Sequence, residues 1–299
     1  MTQAGGWRYW AVLALPPLFW AGNFIAARAA RGDWPPVALS FGRWSLALLV
    51  LLPFALKHIR RDAALYRRHF WRILALAAPG VAGFNTLVYW GLQSTPATNG
   101  MLLNSTIPLM ILGLGALFWR RPLGGWALAG LVVSTLGVAV VILHGSLSRA
   151  LALEFSRGDL ILLAAMASWA LYTLMLTSFP PEVNRTGLLA VQIVLALPML
   201  APLLAWEIAS GRVPHFTPAA LAVLVYVAVV ASVPAFLFYT KAVEWAGPAR
   251  AGQFIHLLPL YGAALSAAFL GEALQPYHAL GFGLILAGIV LAGRGAKRG

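Results

Sequence analysis

Ten apolar runs, each about long enough to cross a bilayer, follow one another along this chain: 9–28, 37–56, 73–92, 99–118, 126–143, 159–177, 188–206, 219–240, 252–270 and 276–293. A hydrocarbon core takes about 20 mostly apolar residues to span as a helix. Only helices and closed barrels satisfy the backbone there, and runs of this length suit helices. The expected fold is an all-α integral membrane protein of ten transmembrane helices. Composition agrees, since 61% of the residues are hydrophobic and 10% charged, where soluble domains carry roughly 25% charged. The longer connections are 57–72, 144–158 and 207–218, too short to hold an inserted soluble domain.

A net charge of +13 would suit a nucleic-acid partner, but its placement argues otherwise. With the N-terminus in the cytoplasm, fifteen of the 21 Lys and Arg fall on that side. The other six are Arg28, Arg31, Arg43, Arg149, Arg157 and Arg212. This asymmetry follows the positive-inside rule. It predicts both termini in the cytoplasm of a multi-pass inner-membrane protein, with the cations reading as topology signals and lipid contacts. No nucleic-acid partner is expected. The absence of cysteine excludes disulfides and thiolate metal sites. "IAARAARG", after the first run, resembles a signal-peptidase site, yet that run is long and holds Pro16, Pro17 and Asn23, so it is expected to be retained.

The chain also repeats itself. With Pro108 laid on Pro259, Leu109 meets Leu260, Ala116 meets Ala267, Phe118 meets Phe269, Gly130 meets Gly281 and Gly137 meets Gly288. One residue of slippage pairs Tyr89 with Tyr239, and "FWAGNF" (19–24) resembles "SWALYT" (168–173) through Trp20 and Trp169. Two blocks of five spans follow, 1–150 and 151–299. Five is odd, so the second block must enter the membrane from the opposite side. Such inverted repeats are the architecture of many secondary transporters, whose site lies near the midplane between the halves.

The motifs add a family resemblance. "FWAGNF", "FGRW" (41–44), "GDLILLAAMASWALY" (158–172), the P-L-x(8)-F-L-G-E pattern from Pro259 to Glu272, and "GFGLILAGIVL" (281–291) resemble the drug/metabolite transporter superfamily in its ten-helix EamA-type branch. One departure is "FWRRPL" in the first half against "FLGEAL" in the second, which sets Arg121 opposite Glu272. The resemblance implies export of small metabolites. It is nearest to exporters of neutral and aromatic amino acids.

Polar side chains inside a span turn from lipid toward other helices or a wet cavity. The helical stripes so formed carry Trp20 and Asn23, Asn85 and Tyr89, Asn99, Leu102 and Ser105, Trp169 and Tyr172, Tyr239, and Gln253 with His256. Uncharged hydrogen-bonding groups beside aromatic faces suit a net-neutral solute with polar ends and an apolar body. These twelve are the candidate substrate-binding residues. The same residue types also join membrane helices to one another, and Trp and Tyr anchor helix ends at the interface. Pro108 and Pro259 correspond between halves and are expected to bend their spans, since proline removes a backbone donor. Arg43 and Asp159 are read as structural, Arg43 as an interfacial or packing cation and Asp159 at a helix start.

No G-x-x-x-x-G-K-[ST] loop occurs, so direct nucleotide use is excluded. All eight acids fall in loops or near span ends, leaving His256 as the one deep ionisable group considered for ion coupling, read as a hydrogen-bonding wall residue. The expectation is facilitated export by rocking of the two halves, with no cofactor. A membrane-embedded transferase would need clustered acids or an acid–base pair within the spans, and the sequence offers neither. A channel, and an exporter of hydrophobic drugs or of other metabolites with proton coupling, are the transport-class alternatives.

Overall fold

The computed structural model describes residues 6–95, 97–120, 124–146, 148, 151, 156–180, 182–270 and 275–295. They are almost wholly helical, with no strand among the described residues. Ten helices cross in turn: α1 (Trp7–Ala29), α2 (Pro36–Arg61), α3 (Phe70–Ser94), α4 (97–119), α5 (Gly125–Ile142), α6 (Arg157–Leu176), α7 (Arg185–Ala209), α8 (Pro218–Ala246), α9 (248–270) and α10 (Pro276–Gly295). Nine are long and apolar enough to span by themselves, and α9 is the tenth, broken by a 3-10 turn. A short helix, Ala63–Arg68, lies between α2 and α3. Large apolar side chains such as Leu117, Phe118, Leu160 and Val290 are exposed, as a lipid-facing surface demands.

The helix starts follow local chemistry. Ser156 and Asp159 form a capping box at α6, so Asp159 is an N-terminal cap residue. Asn184 accepts from Thr186 and Gly187 at α7, and Thr217 accepts from Ala220 at α8. The start of α2 has no cap of its own. Glu207, near the end of α7, reaches across to accept from the N–H groups of Val37 and Ala38 at 3.2 and 2.8 Å. At the other end of the same pair, Asp62 accepts from the N–H of Asn184 at 3.1 Å. Arg61, 2.6 Å away, holds the Asp62 carboxyl below its ordinary pKa. That carboxylate therefore stays ionised above its lowered pKa, and its contribution is lost only as pH falls through that value.

Start pairs with end in both contacts, so α2 and α7 run antiparallel. The α5–α10 pair does likewise: Gly130 faces Gly288 and Gly137 faces Gly281, backbone against backbone. Since Gly130 corresponds to Gly281 and Gly137 to Gly288, the two contacts are related by the repeat. Equivalent helices in opposite senses are what an inverted duplication produces. The helix defects also match. A π-helical segment at Ala78–Gly83 in α3 has its counterpart at Tyr226–Val230 in α8. A turn at 105–106 in α4 has its counterpart in the 3-10 segment Phe254–His256 of α9. Pro108 and Pro259 follow these breaks by two or three residues.

Glu207→Ala is expected to lower the melting temperature of the purified protein by an amount worth about 1–3 kcal/mol, because two buried N–H groups lose their acceptor. Glu244→Ala is the contrast. It removes a longer, more exposed pair with Arg185 at 3.4 Å, which should contribute less than about 1 kcal/mol. Equal melting shifts for the two would remove the cap from this account.

Candidate functional site

The π segment and turn in α8 leave the Ala231 carbonyl without a helical partner. Trp20 Nε1 from α1 donates to it at 3.0 Å, and Arg43 Nη2 from α2 at 2.9 Å. Arg43 is thereby fixed in the interior, fully buried. Its Nε donates to Ser232 Oγ at 2.6 Å. Its Nη1 is shared among Asn23 Oδ1 at 3.0 Å, Asn85 Oδ1 at 2.8 Å and the Tyr89 hydroxyl at 2.6 Å. Trp44 carries the guanidinium over its ring, 5.2 Å from the centroid. No acid pairs with this cation among the described residues.

Of the two readings of Arg43, interfacial or packing cation, the structure sets aside the interfacial one and places it as a cation packed between helices. It lies seven residues beyond the α2 start, about 10 Å into the helix at 1.5 Å per residue. Counting it among outer loop charges concealed it. The available signal was its spacing from Trp44, Ala47 and Leu51, which shares the buried stripe of α2.

Beside Arg43 stands an aromatic cluster from both repeats. Trp169 of α6 is its hub, with ring centroids 5.1 Å from Trp20, 5.0 Å from Tyr239, 5.1 Å from Tyr172, 5.1 Å from Phe236 and 4.7 Å from Phe84. Thr173 and the Tyr239 hydroxyl are 2.9 Å apart. Trp20, Asn23, Asn85 and Trp169 face a common central space with Phe24 and Phe84. Its free volume is about 10 Å³, close to the least that holds one water. The centre is closed. Larger cavities flank it, about 280 Å³ where α5 and α9 begin, beside Arg250 and Gln253, and about 470 Å³ at the opposite face, beside Arg31, Arg212 and His215.

The remaining predicted site residues are distributed differently. Tyr89 and Tyr239 stand behind the central wall, on Arg43 and Thr173. Tyr172 packs its ring against Gly80 in the π segment, where no Cβ would fit. His256 is tied on both ring nitrogens, Nδ1 to Ser134 Oγ at 2.7 Å and Nε2 to the Ser105 carbonyl at 2.9 Å. The carbonyl only accepts, so Nε2 carries the proton. Gln253 Nε2 donates to the Gly288 carbonyl at 2.9 Å. His256 and Gln253 therefore join α9 to α5, α4 and α10. Ser105 turns its hydroxyl onto the Leu102 carbonyl, and Leu102 is half-buried against the core. The Asn99 side chain lies outside the described residues, as do Arg121 and Glu272.

Both halves of the chain, residues 8–143 and 156–294, match the model of the EamA-like transporter family. This chain belongs to the EamA-like transporter family. It is a multi-pass membrane transporter handling small molecules, and not an enzyme. An uncharacterized transporter of Archaeoglobus fulgidus is 26% identical, over 94% of this chain and 95% of that one. The uncharacterized transporter YyaM of Bacillus subtilis is 23% identical, over 92% and 90%. A probable terminal-alkyne amino-acid exporter of Streptantibioticus cattleyicolor is 26% identical, over 95% and 93%. One solved crystal structure superposes with a TM-score of 0.77 across 96% of both chains at 19% identity, a likeness of fold. The double match of one family model to this EamA-like transporter fits the duplication visible in its helix defects.

Proposed function

We propose that this transporter exports small neutral metabolites, most specifically amino acids including aromatic ones, through the central site by alternating access. The observation that carries this reading is the convergence of Trp20 and Trp169, equivalent residues of the two repeats, with Asn23 and Asn85 around one closed space. Rings suit an apolar or aromatic body, and amides replace water around its polar end. Similarity to a probable amino-acid exporter supports the class of solute. We further propose repeat boundaries near residue 150, both termini in the cytoplasm, and movement down the solute's own gradient. Among the described residues no acid lines the centre, and His256 has both ring nitrogens engaged.

Purified protein in liposomes loaded with unlabelled phenylalanine is expected to exchange it for external labelled phenylalanine, saturably and without an imposed ion gradient. Absence of exchange would defeat amino-acid export. Uphill accumulation driven by a pH gradient would defeat the passive mechanism. Stronger competition by hydrophobic drugs than by amino acids would favour the drug-exporter alternative.

The breaks before Pro108 and Pro259 supply the flexing points, because each proline leaves a carbonyl one turn back without its amide donor. The double variant Pro108→Ala, Pro259→Ala is expected to slow exchange by about tenfold, with phenylalanine affinity retained. Parent-like exchange rates would exclude these positions as hinges.

A further inference from the structure

We propose that the central site recognises a carboxylate, and that a substrate's amino group is dispensable. This deepens the proposed function and rests on its placing of the solute between Asn23, Asn85 and the two tryptophans. The argument starts from Arg43. A guanidinium can only donate hydrogen bonds. Asn23 and Asn85 both lie against Nη1, so each must turn its amide oxygen toward Arg43 and its NH2 group away. Asn85 Nδ2 is then left buried with no partner, while Trp169 Nε1 lies toward the Tyr239 hydroxyl without a well-aligned bond. Both residues face the same central space. A buried donor without an acceptor is costly, and a group rich in lone pairs and free of protons relieves it.

Charge points the same way. The buried guanidinium has no acidic partner among the described residues, and its positive potential acts through the two amides onto the central space. No Asp or Glu lines that space, and of the three amides that do, only Asn104 is not turned to Arg43, so an ammonium would meet ring faces and one neutral amide but no charged partner. Arg43 is thus a positioning residue that sets the polarity of Asn23 and Asn85, and those amides with Trp169 make the contacts. Trp20, Phe24 and Phe84 would hold the apolar body of the ligand.

The test uses two half-substrates on the full-length protein. 3-Phenylpropionate has the carboxylate without the amine, and phenethylamine has the amine without the carboxylate. 3-Phenylpropionate is expected to raise the melting temperature and to compete with labelled phenylalanine exchange, and phenethylamine to do neither. Equal or stronger effects of phenethylamine would overturn the inference. So would phenylalanine exchange that 3-phenylpropionate fails to inhibit, a result that leaves amino-acid export standing. Stabilisation by 3-phenylpropionate alone, in a protein that does not exchange phenylalanine, would uphold carboxylate recognition and remove amino-acid export. Asn85→Asp provides a second arm. It places a carboxylate beside Arg43, an ion pair compatible with folding, and repels a ligand carboxylate. Binding of 3-phenylpropionate is expected to weaken by about tenfold or more, with phenethylamine gaining. An unchanged ranking in Asn85→Asp would also overturn the proposal.

Discussion

Arg43→Lys is expected to cut phenylalanine exchange by about a hundredfold or more, while the protein still folds and reaches the bilayer. Charge is preserved in this variant, and geometry is lost. The guanidinium reaches Asn23, Asn85, Tyr89, Ser232 and the Ala231 carbonyl at once. An ammonium has three donors around one atom and cannot span α1, α3 and α8 together. Asn23 and Asn85 would then be free to rotate, and the donors facing the centre would lose their fixed direction. Displacements of about 1 Å at such a site can cost about a hundredfold in rate. Initial exchange rates in liposomes, at matched protein content and with a melting curve alongside, check this. Parent-like exchange in Arg43→Lys would show that charge alone suffices.

Gly288→Val should have the larger effect on folding. A Cβ at Gly288 would meet the Gly130 carbonyl oxygen and the Ser134 nitrogen at 2.5 Å each. Both are backbone atoms of α5, so no side chain can swing aside. Overpacking of a tight core costs about 1–3 kcal/mol even where side chains can adjust, and here two helix axes must separate. We expect most of the protein to be lost from the folded, monodisperse fraction after extraction. Gly283→Val, on the same helix with nothing within 4 Å of the new Cβ, is expected to behave as the parent. Equal yields of the two variants would contradict the packing described for α5 and α10.

The course of the helices was legible from the sequence because it depends on apolar length and proline position, both local properties. The span boundaries moved by only a few residues, and the glycines paired as repeat equivalents, Gly130 with Gly281 and Gly137 with Gly288, turn out to meet crosswise in the α5–α10 contact, which the repeat alone did not show. The polar interior was legible in part. Helical periodicity shows which residues share a stripe, and Trp20, Asn23, Asn85 and Trp169 do reach one space. It does not show which stripe faces which neighbour, and so His256 and Gln253 prove to be bonded toward α4, α5 and α10. The depth and partners of Arg43 were not legible because its site is made by other elements. Asn23, Asn85, Ser232 and a carbonyl freed by a helix defect in α8 stabilise its burial, and none adjoins it in sequence.

The reciprocal carboxylates of α2 and α7 bear on how the molecule can move. Glu207 anchors one end of that pair and Asp62 the other, while glycines clasp α5 to α10 without an intervening layer. Each contact joins members of different halves, so rocking of the two halves would have to break or carry these contacts along. On the alternating-access mechanism proposed above, the two clasped pairs are expected to act as posts while the six remaining helices move, four of which carry the π segments and interrupted turns.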